Sequence, residues 1–414
     1  MWTRSTSAAA LLLIGLAAPL AAKQANDGFL YGTITTDSGK EYTGFLRWNT
    51  DEEAFWDDLF HSAKSELPYL DQVSEKDRDR GREKKRTDIK IFGFRVNVES
   101  DDWGGGASRV FIARFGDIER IEVRDENSAR LTMKGGERVD VSGYANDVGA
   151  TLLVRDAGLG DIELDWAHIE TIRFAAAPRG ADPGPTRLYG TLRTRQGEFR
   201  GFIQWDQEEC LSDDRLDGEA EDGKVALPMG SIASIDRRSS QGCEVVLKDG
   251  RSFRLRGTND VNEENRGIMV EDSRFGRVVV GWREFDRLEF AESESSGRAY
   301  GDYQPGRPLS GTLVTVDGET HKGRLVFDLD EAASWEILNG DWSDLEYNIP
   351  FALVKRLEPG RDESRVVLRG GEELRLEESQ DVTADNDGFL IFDRGAADPL
   401  FLPWRKVESI EFGD

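Results

Sequence analysis

One sequence pattern occurs three times in this chain, and no other feature constrains the fold as strongly. It begins as LYGTITTDSGKEYTGFLRW at Leu30, LYGTLRTRQGEFRGFIQW at Leu188 and LSGTLVTVDGETHKGRLVF at Leu309. Each copy also carries a short acidic motif and a closing segment with Trp. These are NDV, NDV and QDV from Asn146, Asn259 and Gln380, and LDWAHIETIRF, VGWREFDRLEF and LPWRKVESIEF from Leu164, Val280 and Leu402. The sequence therefore predicts three homologous repeats.

The boundaries follow from these copies. We expect repeat 1 to span residues 28–174, repeat 2 residues 186–290 and repeat 3 residues 307–412. The segments between them are rich in Pro, Gly and Ser, which is typical of linkers. Repeat 1 carries an insertion at about residues 62–108, in which SEKDRDRGREKKRTD is almost wholly charged. We expect a mobile loop there, with the clustered Arg and Lys as a second interpretation, a surface that grips an acidic partner.

Each repeat divides into two related halves, which gives six half-repeats. A half opens with two strands around a Gly-containing turn, as in EVVLKDGRSFRLRG from Glu244. It closes with an aromatic residue or Met, followed at +3 and +6 by apolar residues. These triplets are Phe115, Ile118, Ile121; Trp166, Ile169, Ile172; Met229, Ile232, Ile235; Trp282, Phe285, Leu288; Phe351, Val354, Leu357; and Trp404, Val407, Ile410. Spacing of three predicts a short 3-10 turn that leads into a last strand.

A half-repeat resembles the small SH3-like and Sm-like β-barrels in its order of strands and turn. The local match is FRLRGTNDVNEENRGIMVED, where Gly257, Asp260 and Asn262 resemble the glycine, aspartate and asparagine of the Sm signature. Gly267 departs from the pattern, because the Sm family runs directly into its next strand there. The resemblance implies an all-β fold of tandem small barrels. The alternative is a six-bladed β-propeller, since six four-stranded units of this length also fit that class.

The first 22 residues have the order of a secretory signal peptide. Arg4 precedes an apolar run from Ala8 to Leu20, and small residues follow at Ala21 and Ala22. The run is too short to cross a bilayer as a helix. We expect cleavage near Ala22, export to the periplasm or out of the cell, and no transmembrane segment in the mature chain.

The charge of the chain bears on its partners. A formal net charge of −26 repels phosphate backbones, so we expect no nucleic acid among them. RNA binding is therefore not carried over from the Sm resemblance. A protein or a polymer of the cell envelope is the expected partner. The sequence offers no zinc-ligand spacing, no order typical of a catalytic triad and no phosphate-binding loop. No cofactor is expected, with Ca²⁺ as the one candidate.

Calcium is a candidate because the segment from Trp205 to Gly223 is rich in carboxylates, and hard cations prefer oxygen ligands. The candidate metal ligands are Asp206, Glu208, Glu209, Asp213, Asp214 and Asp217. Their spacing departs from an EF-hand loop. Arg215 stands at the third ligand position, and Lys224 stands where the bidentate Glu belongs.

An acidic doublet follows the first hairpin of every repeat. The doublets are Asp51 and Glu52, Glu208 and Glu209, and Asp330 and Glu331. Paired carboxylates serve glycoside hydrolysis when they are held across a cleft. The side chains of adjacent residues on an extended chain point in opposite directions, however. We therefore favour the interpretation that the doublets are solvated turn residues over a catalytic pair.

Two further residue types are candidates for binding or stabilisation. Trp103, Trp335 and Trp342 lie in polar or Gly-rich surroundings, so we interpret them as surface residues that stack on a ligand. Cys210 and Cys243 are candidates for a disulfide, which an exported protein has the compartment to form. The alternative is one buried thiol and one loop thiol.

The leading hypothesis is an exported, non-catalytic β-repeat protein that acts as a binding or scaffold module in the cell envelope or outside the cell. It depends on the repeats, the signal peptide and the absence of a recognisable active-site pattern. The alternatives are a hydrolase acting on envelope polysaccharide or peptide, and a protein of calcium-dependent adhesion or assembly.

Overall fold

The computed structural model describes residues 26–49, 54–73, 88–91, 94–97, 109–143, 147–393 and 398–413. Within these ranges the protein is all-β, as predicted, and its helical segments are 3-10 turns of three residues each. None of the described helices is long and apolar enough to cross a bilayer. The predicted signal peptide, Asp51, Glu52, Trp103 and most of the charged run at 74–88 lie outside the described residues.

Repeat 1 contains twelve of the described strands. They are β1 Tyr31–Thr36, β2 Glu41–Trp48, β3 Leu59–Lys64, β4 Asp88–Ile91, β5 Phe94–Asn97, β6 Arg109–Arg114, β7 Ile118–Asp125, β8 Ser128–Met133, β9 Arg138–Ser142, β10 Leu152–Asp156, β11 Gly160–Leu164 and β12 Ile169–Phe174. The 3-10 turns are η1 Leu70–Gln72, η2 Phe115–Asp117 and η3 Trp166–His168. β4 and β5 form a separate hairpin inside the predicted insertion.

Repeats 2 and 3 contain ten described strands each. Those of repeat 2 are β13 Tyr189–Thr194, β14 Glu198–Gln204, β15 Arg215–Ala220, β16 Gly223–Pro228, β17 Ile232–Ser239, β18 Gly242–Leu247, β19 Ser252–Arg256, β20 Ile268–Asp272, β21 Gly276–Val280 and β22 Phe285–Phe290. Those of repeat 3 are β23 Ser310–Thr315, β24 Thr320–Val326, β25 Ile337–Trp342, β26 Leu345–Pro350, β27 Val354–Glu358, β28 Glu363–Leu368, β29 Glu373–Glu377, β30 Phe389–Asp393, β31 Leu400–Leu402 and β32 Val407–Phe412. The 3-10 turns are η4 Met229–Ser231, η5 Asn259–Val261, η6 Tyr300–Asp302, η7 Phe351–Leu353, η8 Gln380–Val382 and η9 Trp404–Lys406.

All three repeats share one antiparallel strand order. In repeat 1 it is β11-β10-β2-β1-β12-β7-β8-β9-β3-β6. The pairings of repeat 2 give β21-β20-β14-β13-β22-β17-β18-β19-β15-β16, position for position. Those of repeat 3 give β31-β30-β24-β23-β32-β27-β28-β29-β25-β26. Sequence equivalence therefore corresponds to structural equivalence, and each position in one repeat can be compared with two others.

Repeats 2 and 3 are joined edge to edge. β21 of repeat 2 pairs with β26 of repeat 3, with Arg277 opposite Asn348 and Val279 opposite Glu346. The two repeats thereby form one sheet of twenty strands. They also share one hydrophobic core, whereas repeat 1 has a core of its own that takes in Trp335 of repeat 3.

The closing triplets are confirmed as core residues. All eighteen side chains are buried, and the first residue of five triplets lies in η2, η3, η4, η7 or η9. Trp282 heads the sixth, in a hydrogen-bonded turn before β22. Closing strands such as β12, β22 and β27 bury their first and fourth residues, which are the second and third members of the triplet.

The finer architecture differs from both expectations. No closed barrel is formed by the described strands, because each repeat is an open series of ten strands with two ends. A propeller would keep four-stranded blades as separate sheets, whereas here strands such as β17 and β22 pair across the half-repeat boundary. The sequence pattern of each half is local, so it contains no information on which halves pair.

Candidate functional site

Three buried carboxylates converge in repeat 3. Asp328 follows β24, Glu331 closes the same turn, and Asp381 lies in η8. One carboxylate oxygen of each residue lies within 4.8 Å of the other two. We call Asp328, Glu331 and Asp381 the repeat 3 triad.

The turn that carries the first two residues is unusual for non-glycine residues. Asp328 and Leu329 have φ of 50° and 57°, in the left-handed region. The turn is closed by the backbone N–H of Glu331, which donates to the carbonyl of Phe327 at 2.9 Å. This geometry brings Asp328 and Glu331 inward from the end of a strand, although alternation along an extended chain would separate them.

The two aspartates are held by neutral donors. Asp328 accepts from the backbone N–H of Asp387 and, at 2.7 Å, from the Gln380 amide. Asp381 accepts from the backbone N–H of Asn339 on β25 at 2.8 Å. Glu331 differs, because its Oε2 atom is buried and accepts no hydrogen bond, while the residue is 9% exposed.

Cations from repeat 1 lie beside this triad. Lys64 on β3 places its ammonium nitrogen 2.8 Å from Asp330 Oδ1 and 2.8 Å from Glu336 Oε1. Arg109 on β6 pairs with Asp387 and lies 3.6 Å from Asp328. Buried charges need such partners, because removal from water costs several kcal/mol per ion.

The carboxyl groups nevertheless favour protonation. Burial raises the pKa of Asp328 well above its usual range, although Arg109 opposes this shift. Burial and the neighbouring charge of Asp330 raise the pKa of Glu331 well above its usual range. Burial raises the pKa of Asp381 to about 7. Each triad member is therefore destabilised as an anion where it lies.

Repeat 2 carries three carboxylates at the equivalent positions, although their oxygens do not all lie within 4.8 Å of one another. Asp206, with φ of 49°, accepts from the backbone N–H of Arg266 and from the Asn259 amide. Asp260 accepts from the backbone N–H of Asp217 at 2.6 Å. Glu209 again has a buried Oε2 without a partner, and burial raises its pKa to about 9.

The three repeats differ in the residue at the first carboxylate position and in the charges beside it. In repeat 2 the Arg266 side chain lies 3.5 Å from Asp206 and 2.8 Å from Glu208, so a cation is built into the loop. Repeat 3 has Asp387 at the place of Arg266. In repeat 1 Asn49 stands in place of the first aspartate, with φ of 46°, and the third position is Asp147.

The structure brings together only part of the predicted calcium ligands. Asp206 and Glu209 belong to the repeat 2 arrangement, and Glu208 pairs with Arg266 beside it. The other three lie elsewhere. Asp214 accepts from the N–H groups of Cys210 and Leu211, and the side chains of Asp213 and Asp217 are exposed.

Sequence reasoning missed the third member, Asp260 in repeat 2 and Asp381 in repeat 3. The signal was present as the recurring motifs NDV and QDV, which begin one residue before these aspartates. It also missed Lys64 and Arg109, whose partners are more than 200 positions away in the chain.

The predicted tryptophans and cysteines are mostly interior. Trp335 is 5% exposed and packs in the core of repeat 1, and Trp342 packs against the core of repeats 2 and 3. Trp335 is therefore not the surface residue that was predicted, whereas the side chain of Trp342 is partly exposed. Cys210 and Cys243 are free, buried thiols in different hydrophobic clusters, and no disulfide joins them in this structure.

A second group of buried charges joins repeats 1 and 2. Arg277 lies 2.7 Å from Asp58, and Arg187 lies 2.8 Å from Asp57. The guanidinium of Arg187 also stacks on the ring of Phe55 at 3.8 Å. A cavity of about 10 Å³ lies here. It is small beside ligand pockets of about 300–1,000 Å³, and the paired ions beside it serve cohesion between the repeats.

Four sheet ends remain unpaired on one side among the described strands: β6 and β11 in repeat 1, β16 in repeat 2 and β31 in repeat 3. β16 pairs only with β15, and β11 pairs only with β10. Both strands are largely exposed. Their equivalents in the joined pair of repeats are β26 and β21, which pair with each other.

In comparisons with protein-family models, curated proteins and solved structures, nothing matches this chain.

Proposed function

We propose that this protein is an exported, non-catalytic β-repeat scaffold whose copies assemble by strand addition, β11 of one copy pairing with β16 of the next. The observation that carries the proposal is the β21–β26 ladder between repeats 2 and 3. The chain itself uses this joint once, and its two halves recur without a partner strand, one as β11 and β31 and the other as β6 and β16. Of these, β11 and β16 are the largely exposed strands of five and six residues, whereas β31 has three residues and no residue of β6 is exposed.

The register of the internal joint can be transferred to the free strands. The β15–β16 hairpin pairs Ala220 with Gly223, as the β25–β26 hairpin pairs Trp342 with Leu345. Because the positions of the two hairpins correspond, the opposed residues of β21 and β26 identify the residues of β11 and β16 that would face each other. Glu163 is placed opposite Lys224, and Ile162 is placed opposite Val225.

These pairs suit a strand interface. Opposite charges directly across two strands stabilise them by roughly 0.2–1 kcal/mol relative to Ala–Ala, and apolar pairs do the same. Glu163 and Lys224 are both exposed, whereas Ile162 and Val225 are half-buried. In a chain of net charge −26, Lys224 on one edge supports attraction to an edge that carries Asp161 and Glu163.

The backbone of β16 also supports the proposal. In an antiparallel hairpin alternate residues exchange hydrogen bonds with the neighbouring strand, and the residues between them direct N–H and C=O outward. With the turn closing at Ala220 and Gly223, the outward residues include Lys224 and Ala226. Exposed edges of this kind are templates for another strand.

The predicted assembly extends beyond a dimer. Contacts between two different surfaces are heterologous, and they give rings or filaments rather than closed dimers. A protein of this kind would act as a structural element of the envelope or the extracellular matrix, which agrees with the expected export. The acidic surface would then be displayed repeatedly along the assembly.

Sedimentation velocity of the chain without residues 1–22 tests the proposal. Species larger than a dimer should grow with protein concentration at physiological salt. Ala226→Pro removes an outward N–H without touching the β15–β16 ladder, and should leave a monomer. Lys224→Glu should weaken assembly, and adding Glu163→Lys to it should restore assembly.

The control is Lys322→Glu, which changes the charge by the same amount on β24, a strand that is paired on both sides. Its assembly should match that of the parent. A parent that stays monomeric at the highest soluble concentration would contradict the proposal. Oligomers that persist in the Ala226→Pro variant would also contradict it.

A further inference from the structure

We propose that the repeat 3 triad is a binding site for a divalent cation of the Ca²⁺ type, with Asp328, Glu331 and Asp381 as ligands. The triad shares no residue with β11 or β16, so this inference is independent of the proposed assembly. The spacing fits a shared cation. Oxygens on opposite sides of Ca²⁺ are separated by about twice the Ca–O distance, or roughly 4.8 Å, and the triad oxygens lie within 4.8 Å of one another.

The independent observation is the state of Glu331. Its Oε2 atom is fully shielded from solvent and accepts no hydrogen bond, although its neighbours Asp328 and Asp381 have donors. A buried carboxylate without a partner is costly, and native structures leave few such groups. A cation bound between the three residues would supply the missing partner.

The charge balance points the same way. Six carboxylates lie in this region against two cations, Lys64 and Arg109. The carboxylates are Asp328, Asp330, Glu331, Glu336, Asp381 and Asp387. Lys64 is engaged by Asp330 and Glu336, and Arg109 is engaged by Asp387 and Asp328. This leaves Glu331 and Asp381 without a direct cationic partner among the described side chains.

Comparison with repeat 2 explains why the site is assigned to repeat 3. There the carboxylate oxygens of Asp206, Glu209 and Asp260 do not all lie within 4.8 Å of one another, and Arg266 is built into the same loop and pairs with Asp206 and Glu208. In repeat 3 the equivalent residue is Asp387, whose backbone N–H makes the same bond to the first aspartate. The substitution exchanges a cation for a carboxylate at the rim of the site.

Oxygen-only ligands favour hard cations over transition metals. Ca²⁺ accepts irregular sets of six to eight oxygens, whereas Mg²⁺ demands near-octahedral geometry at about 2.1 Å and retains water. A triad on a turn and a 3-10 segment is an irregular ligand set, which suits Ca²⁺ better.

Isothermal titration calorimetry on the full chain, freed of metal with EDTA, tests the site with CaCl₂ and separately with MgCl₂. One Ca²⁺ per chain should bind, with Mg²⁺ weaker. Glu331→Gln keeps the side-chain shape and removes one charge, and should weaken Ca²⁺ binding at least about tenfold, as changes around metal ligands commonly do. Asp381→Asn, which can still accept from Asn339, should act similarly.

The matched control is Glu209→Gln in repeat 2, which should bind Ca²⁺ like the parent. Circular dichroism of each variant checks that it is folded. The proposal is overturned if the folded parent binds neither cation at about 10 mM, tenfold above the range of weak extracellular modules. It is also overturned if Glu331→Gln binds like the parent, or if Glu209→Gln loses the ion.

Discussion

Lys64 and Asp330 form an ion pair between repeats 1 and 3, with 2.8 Å between Nζ and Oδ1, across 266 positions of the chain. The side chains are 9% and 3% exposed. Burial lowers the pKa of Lys64, but attraction to Asp330 and Glu336 outweighs this effect and holds it above its usual value. The ammonium group is therefore charged in the folded protein and fixes repeat 1 against repeat 3.

Lys64→Met should destabilise the protein strongly. The substitution leaves Asp330 and Glu336 buried without their cation, and removal of one partner of a buried pair costs about 3–5 kcal/mol. Urea unfolding, followed by tryptophan fluorescence and circular dichroism, measures the free energy of unfolding. The control is Lys406→Met, which breaks an exposed pair with Asp317 and should cost no more than about 1 kcal/mol. Equal costs for the two variants would show that the Lys64 pair is hydrated.

His61 should make the stability depend on pH. Burial lowers its pKa, against the opposing effect of Asp147, so the folded protein holds it neutral. The unfolded chain takes up the proton at about pH 6.5. The unfolded state therefore binds more protons below that pH, and stability is lost as the pH falls from about 6.5 towards the folded pKa.

His61→Asn, the residue present at the equivalent position 339, should remove this loss. The free energy of unfolding of parent and variant, measured by urea at pH 7.5 and pH 5.0, gives the difference directly, and contributions from carboxyl groups cancel in it. The parent should lose up to about 1.4 kcal/mol more than the variant for each unit by which the pKa is lowered. The exposed His168→Asn variant is the control. Parallel pH profiles for parent and His61→Asn would contradict the prediction.

Substitution by Phe should lower the free energy of unfolding by different amounts at Trp205 and at Trp48. Each indole N–H donates to the carbonyl of the third triad position, Asp260 or Asp147, at 2.9 and 3.0 Å. Repeat 3 has Phe327 instead, and there the Asn386 amide donates to the carbonyl of Asp381 at 3.3 Å. Two repeats thus satisfy this carbonyl with Trp, and the third satisfies it with Asn.

Trp48→Phe should therefore cost about 1–3 kcal/mol more than Trp205→Phe. Repeat 2 has Asn265 at the position of Asn386, with a buried amide nitrogen that makes no hydrogen bond. It can take over the carbonyl of Asp260 when the indole is lost. The shorter loop of repeat 1 has no such Asn. Urea unfolding measures both variants, and adding Asn265→Ala to Trp205→Phe should raise its cost to that of Trp48→Phe. Equal costs for the two single variants would exclude the substitute donor.

Local pattern in the sequence predicted what is local in the structure. The triplets headed by residues such as Trp166 and Trp404 are buried where the spacing of three placed them, because a 3-10 turn and a following strand need only neighbouring residues. The acidic doublets were recognised as a recurring feature. The sequence predicted that the two residues of a doublet point apart, but the preference for solvated turn residues was wrong in repeat 3, where Asp330 and Glu331 are buried. Their burial depends on the left-handed turn at Asp328 and on the distant partner Lys64, which a local pattern does not contain.

The local sequence pattern did not predict which strands pair when they are distant in the chain. The half-repeats gave no sign that β21 would pair with β26, since the apolar run in β21 indicates burial but does not identify the partner strand. The prediction of small closed barrels was not confirmed for the same reason, because it depended on the order of strands within a single half-repeat. Asp381 belongs with Asp328 only because η8 folds back under β24, and a repeated QDV motif does not state its partner.

Trp282→Ala tests how far the joint between repeats 2 and 3 transmits a local loss. Trp282 is 3% exposed and donates to the carbonyl of Ser239 at 2.9 Å, so the substitution should cost about 3–5 kcal/mol. Since repeats 2 and 3 share one core and the β21–β26 ladder, amide exchange should accelerate in both, at residues 188–290 and 309–412. Repeat 1, with its own core, should change less.

The equivalent substitution in repeat 1, Trp166→Ala, supplies the comparison, because its side chain lies in the separate core. It should accelerate exchange at residues 109–174 and leave the joined sheet near the parent values. Hydrogen exchange with mass spectrometry resolves both patterns. If Trp282→Ala left repeat 3 protected, repeats 2 and 3 would unfold as independent units in spite of their shared sheet, since stability in repeat proteins is then a sum of local terms. The β21–β26 joint would in that case be too weak to serve as a model for strand addition between copies.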